Sequence, residues 1–140
     1  MKLLIGCLIL SIPLVSAEPL TKIIPWRAAC DGAEIEVVSE KGLIRSLHAS
    51  AVHSRIIAGW TVHFIDGKPV SAEYREHRRG YVTGGERAGE YSGMDALMKL
   101  ETWKAEKEGI LIPDEARAKE LREVLALARQ EVPAAGASSE

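Results

Sequence analysis

Between residues 56 and 74 the apolar side chains keep to even positions: Ile56, Ala58, Trp60, Val62 and Phe64, then Val70, Ala72 and Tyr74, with Gly59, Thr61 and His63 on odd ones. A period of two predicts half-buried strands with one apolar face. Asp66-Gly67, between the two runs, is a favoured hairpin turn. A two-residue loop there would set Ile65 against Lys68, hence even against odd, and split the apolar set between two faces. Parity therefore predicts a three-residue loop, 65–67 or 66–68, with one residue in the left-handed region.

The same alternation marks Ala33-Glu34-Ile35-Glu36-Val37-Val38 as a strand, Ser39-Glu40-Lys41-Gly42 as a turn and residues 43–48 as the returning strand. Upstream, Pro19 and Pro25 flank Ile23 and Ile24, and Trp26 follows, which predicts an extended leading segment docked by its apolar residues. Residues 73–79 are charged, and the five glycines of 80–93 surround a short apolar pair, Tyr81-Val82, predicted as an edge strand over 81–83. After this loop the spacing lengthens. Leu97, Leu100 and Trp103 predict a helix capped by Ser92 or Asp95 and stopped at Gly109. Ile110-Leu111-Ile112 then crosses to Pro113, and Asp114-Glu115 opens a second helix with the stripe Ala118, Leu121, Leu125, Ala128 and Val132, ended by Pro133. Strands first and helices after predict an α+β domain: a small antiparallel sheet of about four strands over 33–83, followed by two C-terminal helices packed on it.

The longest apolar run lies outside this pattern. Lys2 precedes the 13 residues of 3–15, and Val15-Ser16-Ala17 closes them with small residues. That is the layout of a secretory signal peptide over 1–17. The run contains Ser11 and Pro13 and falls short of the roughly 20 residues that span a bilayer, so no transmembrane anchor is expected after cleavage. Leu4-Ile5-Gly6-Cys7 matches a lipoprotein cleavage box, but the six residues before Cys7 are too few for a charged and an apolar region together. Cleavage after Ala17 leaves 140 − 17 = 123 residues, a single domain over 18–132 with a small polar tail, 133–140, expected to be disordered. The composition suits a bacterial exported protein, and the periplasm is the expected compartment.

Losing Lys2 with the leader moves the formal net charge from −2 to −3, and the charges are interspersed, so no basic face for nucleic acid is expected. The chain has no Asn and hence no N-glycosylation acceptor. Cys7 leaves with the leader and Cys30 remains alone, so no intramolecular disulfide forms. Ala28, Ala29 and Ala33 favour a small buried thiol, while Arg27 keeps an intermolecular, Cys30-linked dimer as the alternative to a monomer.

Candidate chemistry is sparse. His63 and His77 sit too far apart along the hairpin to share an ion, His48 and His53 have no zinc-like spacing, and no metal or cofactor is expected. Glu73, Arg75 and His77 line one face of a strand beside Arg78, a pattern that serves an acid-base site, an anion-binding strip or simply a soluble surface. The loop over 84–93 lacks the Lys-Ser of a phosphate-binding loop, and Glu86 and Glu90 oppose an anion. Glu86, Arg87 and Tyr91 are better read as a mobile surface or a contact for a partner. The expectation is a small binding or interaction module that meets a protein or peptide in the cell envelope, without a catalytic motif. The alternatives are a small hydrolase using Glu73 and His77 or the 84–93 loop, and the Cys30-linked dimer.

Overall fold

A computed structural model of the chain describes residues 18–26 and 32–133; residues 1–17, where a signal peptide is expected, Cys30 and the tail beyond Pro133 lie outside the described residues. Seven strands follow one another in a single antiparallel meander: β1 (Leu20–Pro25), β2 (Gly32–Glu40), β3 (Leu43–His53), β4 (Ile56–Ile65), β5 (Lys68–Arg78), β6 (Ala96–Glu106) and β7 (Gly109–Ile110). One helix, α1 (Glu115–Glu131), closes the fold. The expectation of four strands and two helices is therefore overturned.

The hairpin between β4 and β5 shows how parity is kept. The loop has two residues, Asp66 at φ 53° and Gly67 at φ 78°, a type I′ turn that sets Ile65 against Lys68. The register then shifts between His63 and Phe64, where Val70 has no partner. This bulge returns Trp60 opposite Tyr74 and Val62 opposite Ala72. The apolar face stays whole, as expected, but a bulge inside the strand achieves it rather than a longer loop. The hairpin of β2 and β3 repeats the device 25 residues earlier: Lys41 and Gly42 turn at φ 55° and 80°, and Arg45 is the bulged residue between the pairs Val38 with Ser46 and Ser39 with Ile44.

The segment expected to form the first helix is strand β6. Leu97 and Leu100, three apart, look like a helical stripe, yet both stand on one face of the strand because Met98 is bulged between Leu97, opposite His77, and Lys99, opposite Glu76. Trp103 points the other way, onto Trp60, with ring centroids 5.8 Å apart. Asp95 and Ser92 cap no helix: Asp95 accepts from the Gly80 amide and the Tyr91 hydroxyl, and Ser92 Oγ accepts from the Met94 amide. Gly109, at φ 105°, turns β6 into β7 rather than ending a helix. Strand wins because the open edge of β5 supplies a ladder for the whole of 96–104, whereas an isolated helix of that length is marginal. The leading segment is β1, paired with β2, and the short strand expected at 81–83 reduces to a single bridge between Tyr81 and Tyr91.

One face of the sheet carries the core. Ile35, Val37, Leu47, Ala49, Trp60, Val62, Ala72 and Tyr74 are buried there against Leu121, Val124 and Ala128 of α1. Each fully buried aliphatic side chain contributes about 1.5–3 kcal/mol. The second expected helix thus holds, begun by Asp114, whose carboxylate accepts from the Arg117 amide. Its buried side includes Val124 beside Leu121 and Ala128, while Leu125 is half-buried at the margin. α1 runs from Tyr74, where Arg117 stacks on the ring, to β1, where Lys22 Nζ donates to the Glu131 carbonyl at 3.3 Å. Among the described residues no helix is long and apolar enough to cross a membrane.

Candidate functional site

With α1 on one face, the opposite face of the sheet carries no covering element among the described residues, and the register fixes what stands there. Three rows cross it from β2 to β6: Glu36, His48, Thr61, Glu73 and Thr102; then Glu34, Ser50, Gly59, Arg75 and Leu100; then Gly32, Val52, Ile57, His77 and Leu97. A cleft of about 400 Å³ opens over the middle of these rows, lined by His48, Ser50, Thr61, Arg75, His77 and Asp95 together with Ile57, Gly59 and Gly93.

Gly59 is its floor. A Cβ built there would lie 2.4 Å from the Ala49 carbonyl oxygen, so the neighbouring backbone approaches closer than any side chain permits. The result is a gap in the row between Ser50 and Arg75. His48 Nδ1 and Thr61 Oγ1 are hydrogen-bonded at 3.0 Å along one wall. Arg75 donates through Nε to Glu73 at 2.6 Å, which orients the guanidinium and, among the described residues, leaves its two terminal amino groups unspent. Among the described residues, no hydrogen bond or ion pair holds the side chains of Ser50 and His77.

The end wall comes from the glycine-rich loop, which folds back as a small arm. Val82 donates to the Glu90 carbonyl, Gly89 to that of Val82, and Ser92 to that of Gly80, so residues 80–92 pair across the Tyr81–Tyr91 bridge. The Arg79 guanidinium lies 4.5 Å from the Tyr91 ring centroid and 5.8 Å from that of Tyr81. Asp95 is locked by the Gly80 amide and the Tyr91 hydroxyl, the latter at 2.7 Å, and this bond holds the Tyr91 hydroxyl above the usual phenol range.

Of the residues singled out from sequence, Arg75 and His77 line the cleft, and Glu73 reaches it only through Arg75. Glu73 and His77 are four residues apart on one strand, about 13 Å at strand rise, so neither stands within hydrogen-bond reach of the other. Arg78 is exposed at the end of β5, opposite Ile56 and Ala96. Glu86 is exposed at the tip of the arm, and Arg87 pairs with Glu90 at 2.7 Å. Tyr91 serves the arm as a clamp, and Cys30 lies outside the described residues. His48, Ser50, Gly59, Thr61 and Asp95 were missed as site residues. The odd parity of Gly59 and Thr61 was visible, but nothing in the chain order shows that β3 brings His48 and Ser50 alongside them. No group of three or more metal-ligating side chains occurs among the described residues.

Comparison with protein families, with characterised proteins and with solved structures returns no match.

Proposed function

We propose that this chain is an exported binding domain, and that it engages a partner in the cell envelope through the cleft on the uncovered face of its sheet. The observation that carries this reading is the gap above Gly59. A five-strand face is held rigid from behind by the Trp60 and Tyr74 core, and its centre is bare of side chain while the polar groups of Ser50, Arg75 and His77 border it. A pre-formed concave site with a few convergent polar groups is the ordinary form of a ligand site. Export rests on the layout of residues 1–17.

A photo-crosslinking amino acid placed at Thr61, and separately at the exposed Glu123 of α1, tests the reading in the cells that make the protein. A discrete adduct from position 61 and none from 123 is the expected result. Equal labelling from both positions, or none from 61, overturns it. Mass spectrometry of the purified protein is expected to find a chain beginning at Glu18; a chain that retains Met1, or one beginning at a lipidated Cys7, overturns the assignment of the leader.

A further inference from the structure

On the cleft's open side the second and third rows end in apolar side chains, while the first ends in Thr102. Leu100 stands opposite Arg75 and Leu97 opposite His77 on β6, and they are 47% and 52% exposed. With Met94 at 81% and Met98 at 50%, they form an apolar margin on the same edge of the sheet. Exposed apolar side chains that cluster in this way mark contact surfaces. Ile57 lies on the other side of His77, so the third row is apolar on both sides of the imidazole.

Resting on the cleft reading above, we propose that this site takes the free C-terminal end of an extended peptide whose last residue is apolar. The carboxylate lies at the terminal amino groups of Arg75, with His77 and the Ser50 hydroxyl as further donors, and the final side chain rests on Leu97 and Leu100. Arginine is suited to this role because its planar fork matches a carboxylate with two parallel hydrogen bonds. Glu73 holds the guanidinium through Nε and leaves the fork's terminal groups for the ligand. Of the four carboxylates in the three rows and the cleft wall, Glu73 is engaged by Arg75 and Asp95 by the Gly80 amide and Tyr91 hydroxyl, while Glu34 and Glu36 stand on β2 behind Ser50 and His48, outside the lining of the cleft. The remaining lining selects a peptide over a fatty acid. His48, Thr61 and Ser50 present donors and acceptors to whatever fills the cleft. A hydrocarbon chain would strip water from them and return nothing, whereas peptide amides hydrogen-bond to them.

The test uses the purified protein and fluorescently labelled tetrapeptides that end in Leu, Val, Ser or Lys, each as the free acid and as the C-terminal amide, with decanoate as a third arm. The expected result is binding of the Leu and Val acids, at least tenfold weaker binding of their amides, and weaker binding of the Ser and Lys acids. Arg75→Gln is expected to weaken the Leu acid at least tenfold and Leu100→Ser several-fold, both with an unchanged thermal midpoint. Equal affinity for acid and amide, an unchanged affinity in Arg75→Gln, binding of decanoate in place of the peptides, or no binding of any acid overturns the proposal. If the acids fail while the Thr61 crosslink persists, the cleft reading stands and the ligand class falls; if both fail, both fall.

Discussion

The guanidinium of Arg117 lies over the ring of Tyr74, its Cζ 3.6 Å from the centroid, and joins the first turn of α1 to the centre of the sheet. The same guanidinium stands 4.0 Å from Glu76 and 3.9 Å from Glu101, and the Tyr74 hydroxyl donates to Glu76 at 2.7 Å. Tyr74 also meets Trp60 edge-on, with centroids 5.2 Å apart. One tyrosine thus ties three strands and the helix together, and this has a consequence for pH.

Burial, followed by the hydrogen bond to Glu76, pushes the Tyr74 hydroxyl up to about 12 from 10.0, against the opposing pull of Arg117. Above pH 10 the unfolded chain loses a proton that the folded chain keeps. Stability from this group is therefore whole below pH 10 and falls as pH rises towards 12, with a slope approaching about 1.4 kcal/mol per pH unit. Urea unfolding at pH 9, 10 and 11 should show the decline, and Tyr74→Phe should decline less steeply. Parallel curves for the two proteins would refute the assignment.

Trp60 is fully buried, and its indole N–H donates to Glu120 Oε1 at 2.8 Å. Glu120→Ala removes that acceptor while the ring stays in place. A cost of about 1–3 kcal/mol is expected in chemical denaturation. Glu120→Gln, which keeps an oxygen acceptor, should lose less than half as much.

At Gly59 even a methyl group meets backbone. Because the Ala49 carbonyl cannot retreat without breaking the β3–β4 ladder, Gly59→Ala should cost about 2–3 kcal/mol, a larger loss than a surface strand substitution brings. Amide exchange should accelerate at Ser50 and Thr61 before it does in α1. A stability within 0.5 kcal/mol of the parent, the ordinary range for a surface change, would mean that the close approach is not real.

The Asp114 cap is simpler. Its carboxylate accepts from the Arg117 amide at 3.1 Å, so Asp114→Ala should lose about 1 kcal/mol, and Asp114→Ser should recover most of it. Helical circular dichroism and thermal unfolding report both.

Much of the hairpin at 56–78 could be read directly. Alternation placed Trp60, Val62, Ala72 and Tyr74 on one face, and parity required that they stay together. The means was misjudged, because a two-residue turn followed by a bulge satisfies the same parity as a three-residue loop. Legibility failed at β6 for the same reason. A bulge at Met98 lets Leu97 and Leu100 share a face at helical spacing, and a single sequence does not distinguish a bulged strand from a short helix. Arg75 and His77 could be picked out by their shared strand face, but their cleft partners come from β3, β4 and the arm after β5.

By itself the sequence determined what is local: the alternation of the strands, the places where the chain turns near Gly42 and Gly67, and the start and apolar stripe of α1. These follow from backbone preference and period, which act over a few residues. Only the tertiary structure decided that residues 96–106 are a strand, because the open edge of β5 had to exist before that segment had anything to pair with. Only it decided which face α1 covers, since one helix suffices for one face of the sheet and, among the described residues, leaves the other without a covering element. The cleft is a product of that second decision: Gly59 becomes a floor because the Ala49 backbone crowds it, and Arg75 becomes a fork because Glu73 orients it.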